Sequence, residues 1–181
     1  RQCENQLELI LELKEQKKWK QVLEGITQFE NISKLIAARG GVQNESGQGL
    51  GKLAAYAQGQ VFFDENEYEN AYQKFYRLYS QDSDDEDIAG LCAEAAFRNA
   101  VQPVFSQDWQ QQVAWLEKTI KILPNHKEGQ AQMRLDEARY QLAMQLLNND
   151  RRAAIDQLEN ITGHDGQWAA AQKTLASAYL E

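Results

Sequence analysis

Proline and cysteine are scarce in this sequence. The 181 residues contain two prolines and two cysteines, and 43% of the residues are hydrophobic. This composition excludes a disordered, low-complexity chain. The two cysteines, Cys3 and Cys92, lie far apart and form no CxxC pair, so a disulfide framework is not indicated. Cys92, within GLCAEAAF, is expected to be a small buried apolar residue.

The sequence also lacks long apolar runs and an excess of positive charge. No apolar run approaches the roughly 20 residues that a helix needs to cross a bilayer, so membrane insertion is not expected. There are 19 basic residues against 27 acidic ones, which gives a net charge of −8. This balance weighs against non-specific binding of nucleic acid, because such binding depends on neutralising phosphates.

The chain begins at Arg1, without a methionine or a signal-like segment. We interpret it as a piece of a longer polypeptide, in which any targeting sequence would lie elsewhere. No compartment is therefore assigned. Two distant cysteines do not define a redox environment either.

Apolar residues recur at helical spacing through most of the chain. Four segments align, and each opens on a charged residue followed by an aromatic residue or arginine: KWKQVLEGITQF from Lys18, EYENAYQKFYRL from Glu67, DWQQQVAWLEKTIKILP from Asp108 and DRRAAIDQLENI from Asp150. Intervals of three and four residues put the apolar side chains on one helix face. A further helix is predicted before each segment and a ninth at the end of the chain, at about residues 5–15, 49–64, 87–101, 128–147 and 167–180.

Three local patterns refine these helices. LELILEL (7–13) alternates at period two, but its Glu, Gln and Lys neighbours favour a helix over a strand. The carboxylates of SQDSDDEDI (80–88) precede a predicted helix, where they would cap its amides and favour its dipole. Pro124 follows another predicted helix, and Asn125 is expected to cap the next one.

The second helix pair resembles a tetratricopeptide repeat. Gly59 followed by Phe62 corresponds to the Gly-x2-Tyr of that family, and Ala71 followed by Phe75 corresponds to its Ala-x3-Phe. The resemblance implies that small residues such as Gly59 and Ala71 let paired helices approach while Phe75 fills the space between them.

Later segments carry the same resemblance with departures. The third segment ends in Pro-Asn and the fourth keeps Ala154 and Leu158, but Gln112 replaces an expected alanine and Ala100 stands where a glycine would be. The aromatic-or-arginine positions, 19, 68, 109 and 151, are 49, 41 and 42 residues apart. A tetratricopeptide repeat has about 34 residues and a HEAT or armadillo repeat about 40–47, so HEAT-like pairs remain an alternative.

Both families imply the same architecture. We expect an all-α fold, a right-handed α-solenoid of about four antiparallel helix pairs plus a C-terminal helix, forming a single domain over residues 1–181. A lengthened loop at 39–49 would separate the first two pairs and account for the 49-residue interval.

The glycine-rich run GGVQNESGQGLGK (40–52) invites comparison with a phosphate-binding loop. Such a loop needs Gly, four residues and then Gly-Lys-Ser/Thr, after a strand. Counting back from the closing Gly-Lys, the first position is Ser46, and Leu53 stands where the hydroxyl residue belongs. A predicted helix precedes the run instead of a strand. We therefore expect no nucleotide cofactor, and we predict that Gly49–Lys52 begins a helix.

Metal binding and catalysis are not indicated either. Counted from Asp82, DSDDED places Asp87 and Ala93 where a calcium loop needs Gly and Glu, so a helix-capping turn is the simpler interpretation. His126 and His164 each lie in a predicted turn, and no zinc-ligand spacing occurs. No serine or cysteine is placed beside the His-Asp of GHDG as a nucleophile.

The remaining hypothesis is a protein-interaction module. The second pair is dense in aromatic residues, more than one pair of helices can bury, and an aromatic-lined groove binds peptides well because rigid rings bury area at low entropy cost. In a solenoid the first helix of each pair lines the concave face. By this analogy the candidate partner-binding residues are Tyr56, Gln60, Phe63, Glu94, Arg98, Gln132 and Arg139.

We therefore expect a non-catalytic interaction or scaffold module that binds a peptide or a partner domain on its concave face. The lysine and asparagine set with which some tetratricopeptide proteins clamp a C-terminal carboxylate is not recognisable, so that specificity does not follow. The alternative is a regulatory or sensor segment of a multidomain enzyme or signalling ATPase, whose catalytic domain would lie outside this chain.

Overall fold

The computed structural model describes residues 2–38, 49–163 and 166–180. This part of the chain is helical and contains no strand, so the predicted all-α fold class is confirmed. Short 3-10 helices at Pro103–Phe105 and His126–Gly129 precede two of the α-helices. The nine α-helices of the described residues are α1 (Gln2–Glu15), α2 (Trp19–Ala38), α3 (Leu50–Asp64), α4 (Tyr68–Tyr79), α5 (Glu86–Ala100), α6 (Trp109–Ile122), α7 (Gln130–Leu146), α8 (Arg151–Glu159) and α9 (Gly166–Leu180).

The glycine-rich run is described only at its end. Residues 39–48 of the predicted loop lie outside the described residues. Gly49 has the left-handed φ of 95° that favours glycine, and α3 begins at the next residue, Leu50. The prediction that Gly49–Lys52 begins a helix is confirmed.

Aspartate side chains cap the N-termini of three of the described helices. Asp85 accepts a hydrogen bond from the amide of Ile88 at 3.0 Å, within the acidic segment that was expected to cap α5. Asp108 accepts from the amide of Gln111 and Asp150 from that of Ala153, each at 3.0 Å. These bonds satisfy amides that the first turn of a helix leaves without partners.

The expected cap at Asn125 is wrong. Its side chain makes no capping hydrogen bond, and the chain enters a 3-10 helix before α7 begins. Lys127, Glu128 and Gly129 all have positive φ, at 50°, 56° and 89°. These three left-handed residues change the direction of the backbone before α7. Gly129, and not Asn125, is the residue that directly precedes this helix.

The chain divides into two compact units, Arg1–Ile88 and Ala89–Glu181. In the first unit, α1 packs against α2, α2 against α3 and α3 against α4. In the second, α6 packs against α7, α7 against α8 and α8 against α9. The single domain over residues 1–181 stays a prediction.

Glycines allow close helix packing at two places in the first unit. A Cβ atom added to Gly59 on α3 would lie 2.5 Å from Cε1 of Phe75 on α4, and Phe75 is fully buried. A Cβ atom on Gly25 of α2 would lie 2.9 Å from Cγ1 of Ile10 on α1. The predicted roles of Gly59 and Phe75 in helix packing are therefore confirmed.

The α1–α2 and α3–α4 turns of the first unit have the same backbone hydrogen bonds. After α1 the amide of Lys17 donates to Lys14, and that of Lys18 to Leu13, at 2.9 and 3.0 Å. After α3 the amide of Asn66 donates to Phe63, and that of Glu67 to Phe62, at 3.1 and 2.8 Å. In each turn one residue is left-handed, Lys17 with φ 55° and Asn66 with φ 62°. This is the Schellman arrangement of a helix C-terminus.

The second unit has its own apolar core around α7, α8 and α9. Ala154 and Leu158 of α8 are fully buried, as expected from their spacing. The small side chains in this group allow the helices to approach closely. The buried members of the group are Ala143, Ala154, Leu158, Ile161 and Ala171.

Candidate functional site

A concave site with an aromatic lining lies in the first unit. It is a cleft of about 520 Å³, formed by the end of α1, the turn into α2, the first turns of α3, the end of α4 and the acidic segment that follows. Its volume is within the range of ligand-binding clefts. The cleft is lined by Lys14, Glu15, Lys17, Trp19, Lys52, Leu53, Tyr56, Leu78, Gln81, Asp82, Asp85, Asp87 and Ile88.

Two half-buried aromatic rings belong to the cleft. The rings of Trp19 on α2 and Tyr56 on α3 meet edge to face, with centroids 5.2 Å apart. Tyr56 also meets the buried ring of Phe75 at 6.1 Å. Gln60, one turn along α3, donates a hydrogen bond to the Tyr56 hydroxyl at 3.1 Å. These contacts from three helices fix Tyr56, so a ligand that covers the ring loses little side-chain entropy.

The two signs of charge in the cleft come mainly from different chain segments. The end of α1, the α1–α2 turn and the start of α3 contribute three lysines, at 14, 17 and 52, and one carboxylate, Glu15, whereas three aspartates, at 82, 85 and 87, come from the segment after α4 and the first turn of α5. All seven side chains belong to exposed residues. Within residues 2–38, 49–163 and 166–180, no ion pair joins these lysines to these aspartates. The cleft therefore presents charges of both signs beside an aromatic pair.

Lys17 is held in a conformation that lysine rarely adopts. Its left-handed φ of 55° costs a non-glycine residue about 1–2 kcal/mol. The equivalent place after α3 holds Asn66, a residue type that tolerates this conformation better. Lys17 also lines a second, smaller cleft of about 380 Å³, to which Trp19 contributes as well. The strained residue thus lies where the two clefts adjoin.

The sequence-predicted residues of the first unit all lie on α3. Tyr56 lines the cleft, and Gln60 supports it through the hydroxyl bond. Phe63 packs its ring edge to face against Tyr68 at 5.3 Å, across the α3–α4 turn. Of the three, the structure brings Tyr56 and Gln60 together and places Phe63 near the other end of the helix.

Glu94 and Arg98 belong to a polar cluster in the second unit. Glu94 accepts hydrogen bonds from Nε of Arg98 at 2.7 Å and from Nζ of Lys127 at 3.1 Å, and its other oxygen lies 2.9 Å from Nε2 of His126. Burial alone would raise the pKa of Glu94, but hydrogen bonds from the three basic partners outweigh it and hold that pKa below its ordinary value. The Lys127 ammonium also lies 4.7 Å from the centroid of the Phe97 ring.

Gln132 and Arg139, both on α7, also bond within the second unit. Gln132 donates to the buried Asp136 at 2.8 Å, and Asp136 accepts from the amide of Gly163 at 2.8 Å. Arg139 donates to the backbone oxygen of Asn160 at 2.6 Å and to Glu117 at 2.9 Å. These bonds attach α7 to the end of α8 and to α6, which gives both side chains an internal partner.

Sequence reasoning missed most of the cleft. The sequence pattern places Trp19 only in the repeat alignment and gives Asp82 to Asp87 only a capping role, which Asp85 does fill. The sequence does not indicate that the lysines and the aspartates share a cleft, because about 65 residues separate Lys17 from Asp82 and only the fold brings them together. The clue available in the sequence was the pairing of a basic run with an aromatic residue in KKWK.

Groups suited to metal or thiol chemistry are not assembled in the part of the chain that the structure describes. No group of three His, Cys, Asp or Glu side chains there is placed to hold a metal ion. Burial raises the pKa of the Cys92 thiol to about 12, so it stays protonated at neutral pH. His126 bonds to Glu94, and His164 lies outside the described residues.

Among the described helices, none combines the length and the apolar character needed to cross a bilayer. Comparisons with protein-family models, with curated proteins and with solved structures found no match for this chain. No family is therefore assigned, and the resemblance to tetratricopeptide repeats stays an expectation from the sequence.

Proposed function

We propose that this protein is a non-catalytic interaction module that binds a peptide or a segment of a partner protein in the cleft of the first unit. One observation carries the proposal: a pair of rigid aromatic rings, Trp19 and Tyr56, lines an open cleft of about 520 Å³. Aromatic anchors in such a setting supply most of the binding energy at protein interfaces.

The proposal includes a right-handed α-solenoid built from the helix pairs. Two features support it. The α1–α2 and α3–α4 turns share their hydrogen bonds with an offset of 49 residues, and the aspartate caps at 108 and 150 share theirs with an offset of 42. Recurrent local geometry at these intervals is typical of helix-pair repeats.

Among the sequence-based candidates, Tyr56 and Gln60 carry the proposal. We propose that Glu94, Arg98, Gln132 and Arg139 hold the second unit in shape, because each already has a charged or buried internal partner. Phe63 remains a candidate for contact at the far end of α3.

The test is selection from a random dodecapeptide display library against the full chain, followed by affinity measurements on the enriched peptides. Tyr56→Leu keeps bulk in the cleft but removes the ring and the hydroxyl. Tyr76→Leu is the matched control, since Tyr76 is 43% exposed on α4 and does not line the cleft. Truncating an aromatic hot spot costs about 2 kcal/mol or more, so Tyr56→Leu should weaken binding at least about 10-fold.

Enriched peptides that lose affinity with Tyr56→Leu and keep it with Tyr76→Leu would support the proposal. Thermal melts by circular dichroism ensure that both variants are folded. The proposal fails if no peptide is enriched, or if the two variants affect the enriched peptides equally.

A further inference from the structure

We infer that the cleft of the first unit selects a dipolar peptide, in which an acidic residue and a basic residue lie on opposite sides of an apolar residue. The inference rests on the proposed function and adds the chemistry of the ligand. The apolar residue would cover Trp19 and Tyr56, the acidic residue would face the lysines, and the basic residue would face the aspartates.

Charge complementarity is the first argument. Around the α1–α2 turn and the start of α3, the cleft lining has three lysines, at 14, 17 and 52, against one carboxylate, Glu15, whereas Asp82, Asp85 and Asp87 come from the segment after α4. A ligand with charge of one sign would gain from one set and be repelled by the other. Only a ligand that carries both signs in separate places can match the whole cleft.

The partners of the aspartates refine the argument. Asp85 accepts from the amide of Ile88, so its carboxylate is partly occupied by the start of α5. Asp82 and Asp87 have no ion-pair partner among the described residues. We therefore assign the contact with a basic residue to Asp82 and Asp87.

The conformation of Lys17 is the second, independent argument. A left-handed lysine is costly where glycine or asparagine would relieve the strain, and Asn66 fills the same place in the matching turn. Backbone strain of this kind concentrates at ligand clamps, where it is retained for function. The residue retained here is a cation at the junction of the two clefts.

A nucleic acid fits this cleft less well than a peptide. The backbone of a nucleic acid is negatively charged at every phosphate. If some phosphates contacted the lysines, neighbouring phosphates would lie close to the aspartates and be repelled by them. The net charge of −8 adds repulsion over longer range.

The experiment is a charge reversal read out by peptide selection on the full chain. Lys17→Glu combined with Lys52→Glu leaves Lys14 as the one lysine of the cleft lining and makes the lining predominantly acidic. The control combines Lys121→Glu with Lys173→Glu, which changes net charge equally at exposed positions that do not line the cleft. A random dodecapeptide display library is selected against the native chain and both double variants, and enriched peptides are titrated by fluorescence anisotropy.

Against the native chain and the control, the enriched peptides should carry acidic and basic residues on opposite sides of an apolar residue. Against the cleft variant, the selection should switch to peptides that are basic on both sides. The dipolar peptides should bind the cleft variant about 10-fold more weakly, as expected for the loss of two favourable charge contacts.

The possible failures are distinguishable. Enriched peptides that depend on Tyr56 but show no dipolar pattern, or no switch in the cleft variant, overturn this inference and leave the proposed function in place. If no enriched peptide depends on Tyr56, the proposed function fails and this inference fails with it.

Discussion

Lys17 has a left-handed backbone conformation that lysine rarely adopts. The hydrogen bonds of the α1–α2 turn require a left-handed residue at this position, and glycine is the residue that adopts this conformation without steric cost. The lysine side chain instead lies where two clefts adjoin. Stability and binding should therefore respond in opposite directions when Lys17 is replaced.

Lys17→Gly should raise the free energy of unfolding by about 1 kcal/mol, because relief of the left-handed strain exceeds the entropy that glycine adds to the unfolded chain. Urea denaturation at neutral pH measures the change. The control is Lys34→Gly at an exposed position inside α2, which does not have positive φ and should lose about 0.5–1 kcal/mol. Equal effects of the two substitutions would contradict the account of the turn.

Some properties of these individual residues could be predicted from the sequence, whereas others arise only in the folded chain. The burial of Cys92 was predictable because a small apolar residue type in a helical pattern indicates burial by itself. The packing roles of Gly59 and Phe75 were expected from the resemblance to tetratricopeptide repeats. The sequence could not predict the left-handed Lys17, since a lysine carries no signal for that conformation. Nor could it predict the bond between His126 and Glu94, which lie 32 residues apart.

Helix packing in the first unit depends on the fit between α3 and α4. Gly59 faces the buried ring of Phe75, with no room for a methyl group between them. A Gly59→Ala substitution should therefore lower the free energy of unfolding by about 1–3 kcal/mol, the usual cost of overpacking. Thermal or urea denaturation followed by circular dichroism measures it.

Two further variants identify the cause. Gly51→Ala is the matched control near the start of the same helix, where an added Cβ meets nothing within 4 Å, and it should be neutral or stabilising by up to about 1 kcal/mol. Adding Phe75→Leu to Gly59→Ala should cost less than the sum of the two single changes, because the smaller side chain makes room. Strict additivity would mean that Gly59 and Phe75 do not share this space.

The second unit contains an element contact that depends on charge. Glu94 on α5 holds the 3-10 helix at His126–Gly129 through His126 and Lys127, and its partners keep its pKa below the ordinary value. A carboxyl group with a lowered pKa stabilises the folded state above its unfolded pKa of about 4.3. That contribution is lost as pH falls through the lower, folded value.

A fall in pH should therefore destabilise the native protein more than it destabilises the Glu94→Gln variant. Below about pH 4.3 the free energy of unfolding of the native chain should fall more steeply, because the amide does not titrate. Glu137→Gln serves as the control, since Glu137 pairs with Arg134 at an exposed position and its removal should leave the acid response nearly unchanged. The same pH dependence in all three proteins would refute the assigned role of Glu94.

Helix positions were predictable because periodicity and capping residues are local signals. The predicted helix starts and ends lie within a few residues of the observed ones. This includes α1, although its alternating leucines are also compatible with a strand. The start of α7, predicted at about residue 128, is observed two residues later for a reason that the sequence pattern does not indicate. Three consecutive left-handed residues, only one of them a glycine, delay this helix to Gln130.

At the scale of the whole molecule, the candidate site is a product of folding. Its aromatic and charged residues come from segments around positions 14–19, 52–56 and 78–88, which only the packing of α1 to α4 brings to one cleft. The density of aromatic residues in the second helix pair is enough to predict Tyr56 as a binding residue. The sequence could not bring the lysines and the aspartates to the same place.

The central claim is that the cleft beside Trp19 binds a peptide, and nitrogen-15 NMR tests it most directly. The chain has four tryptophans, Trp19, Trp109, Trp115 and Trp168, and therefore four indole N–H signals. A Trp19→Phe variant assigns the signal of Trp19. On titration with an enriched peptide, the account predicts that the Trp19 indole signal shifts and saturates while the other three stay in place. A peptide that binds with its largest shift at another tryptophan, with Trp19 unchanged at saturation, would contradict it.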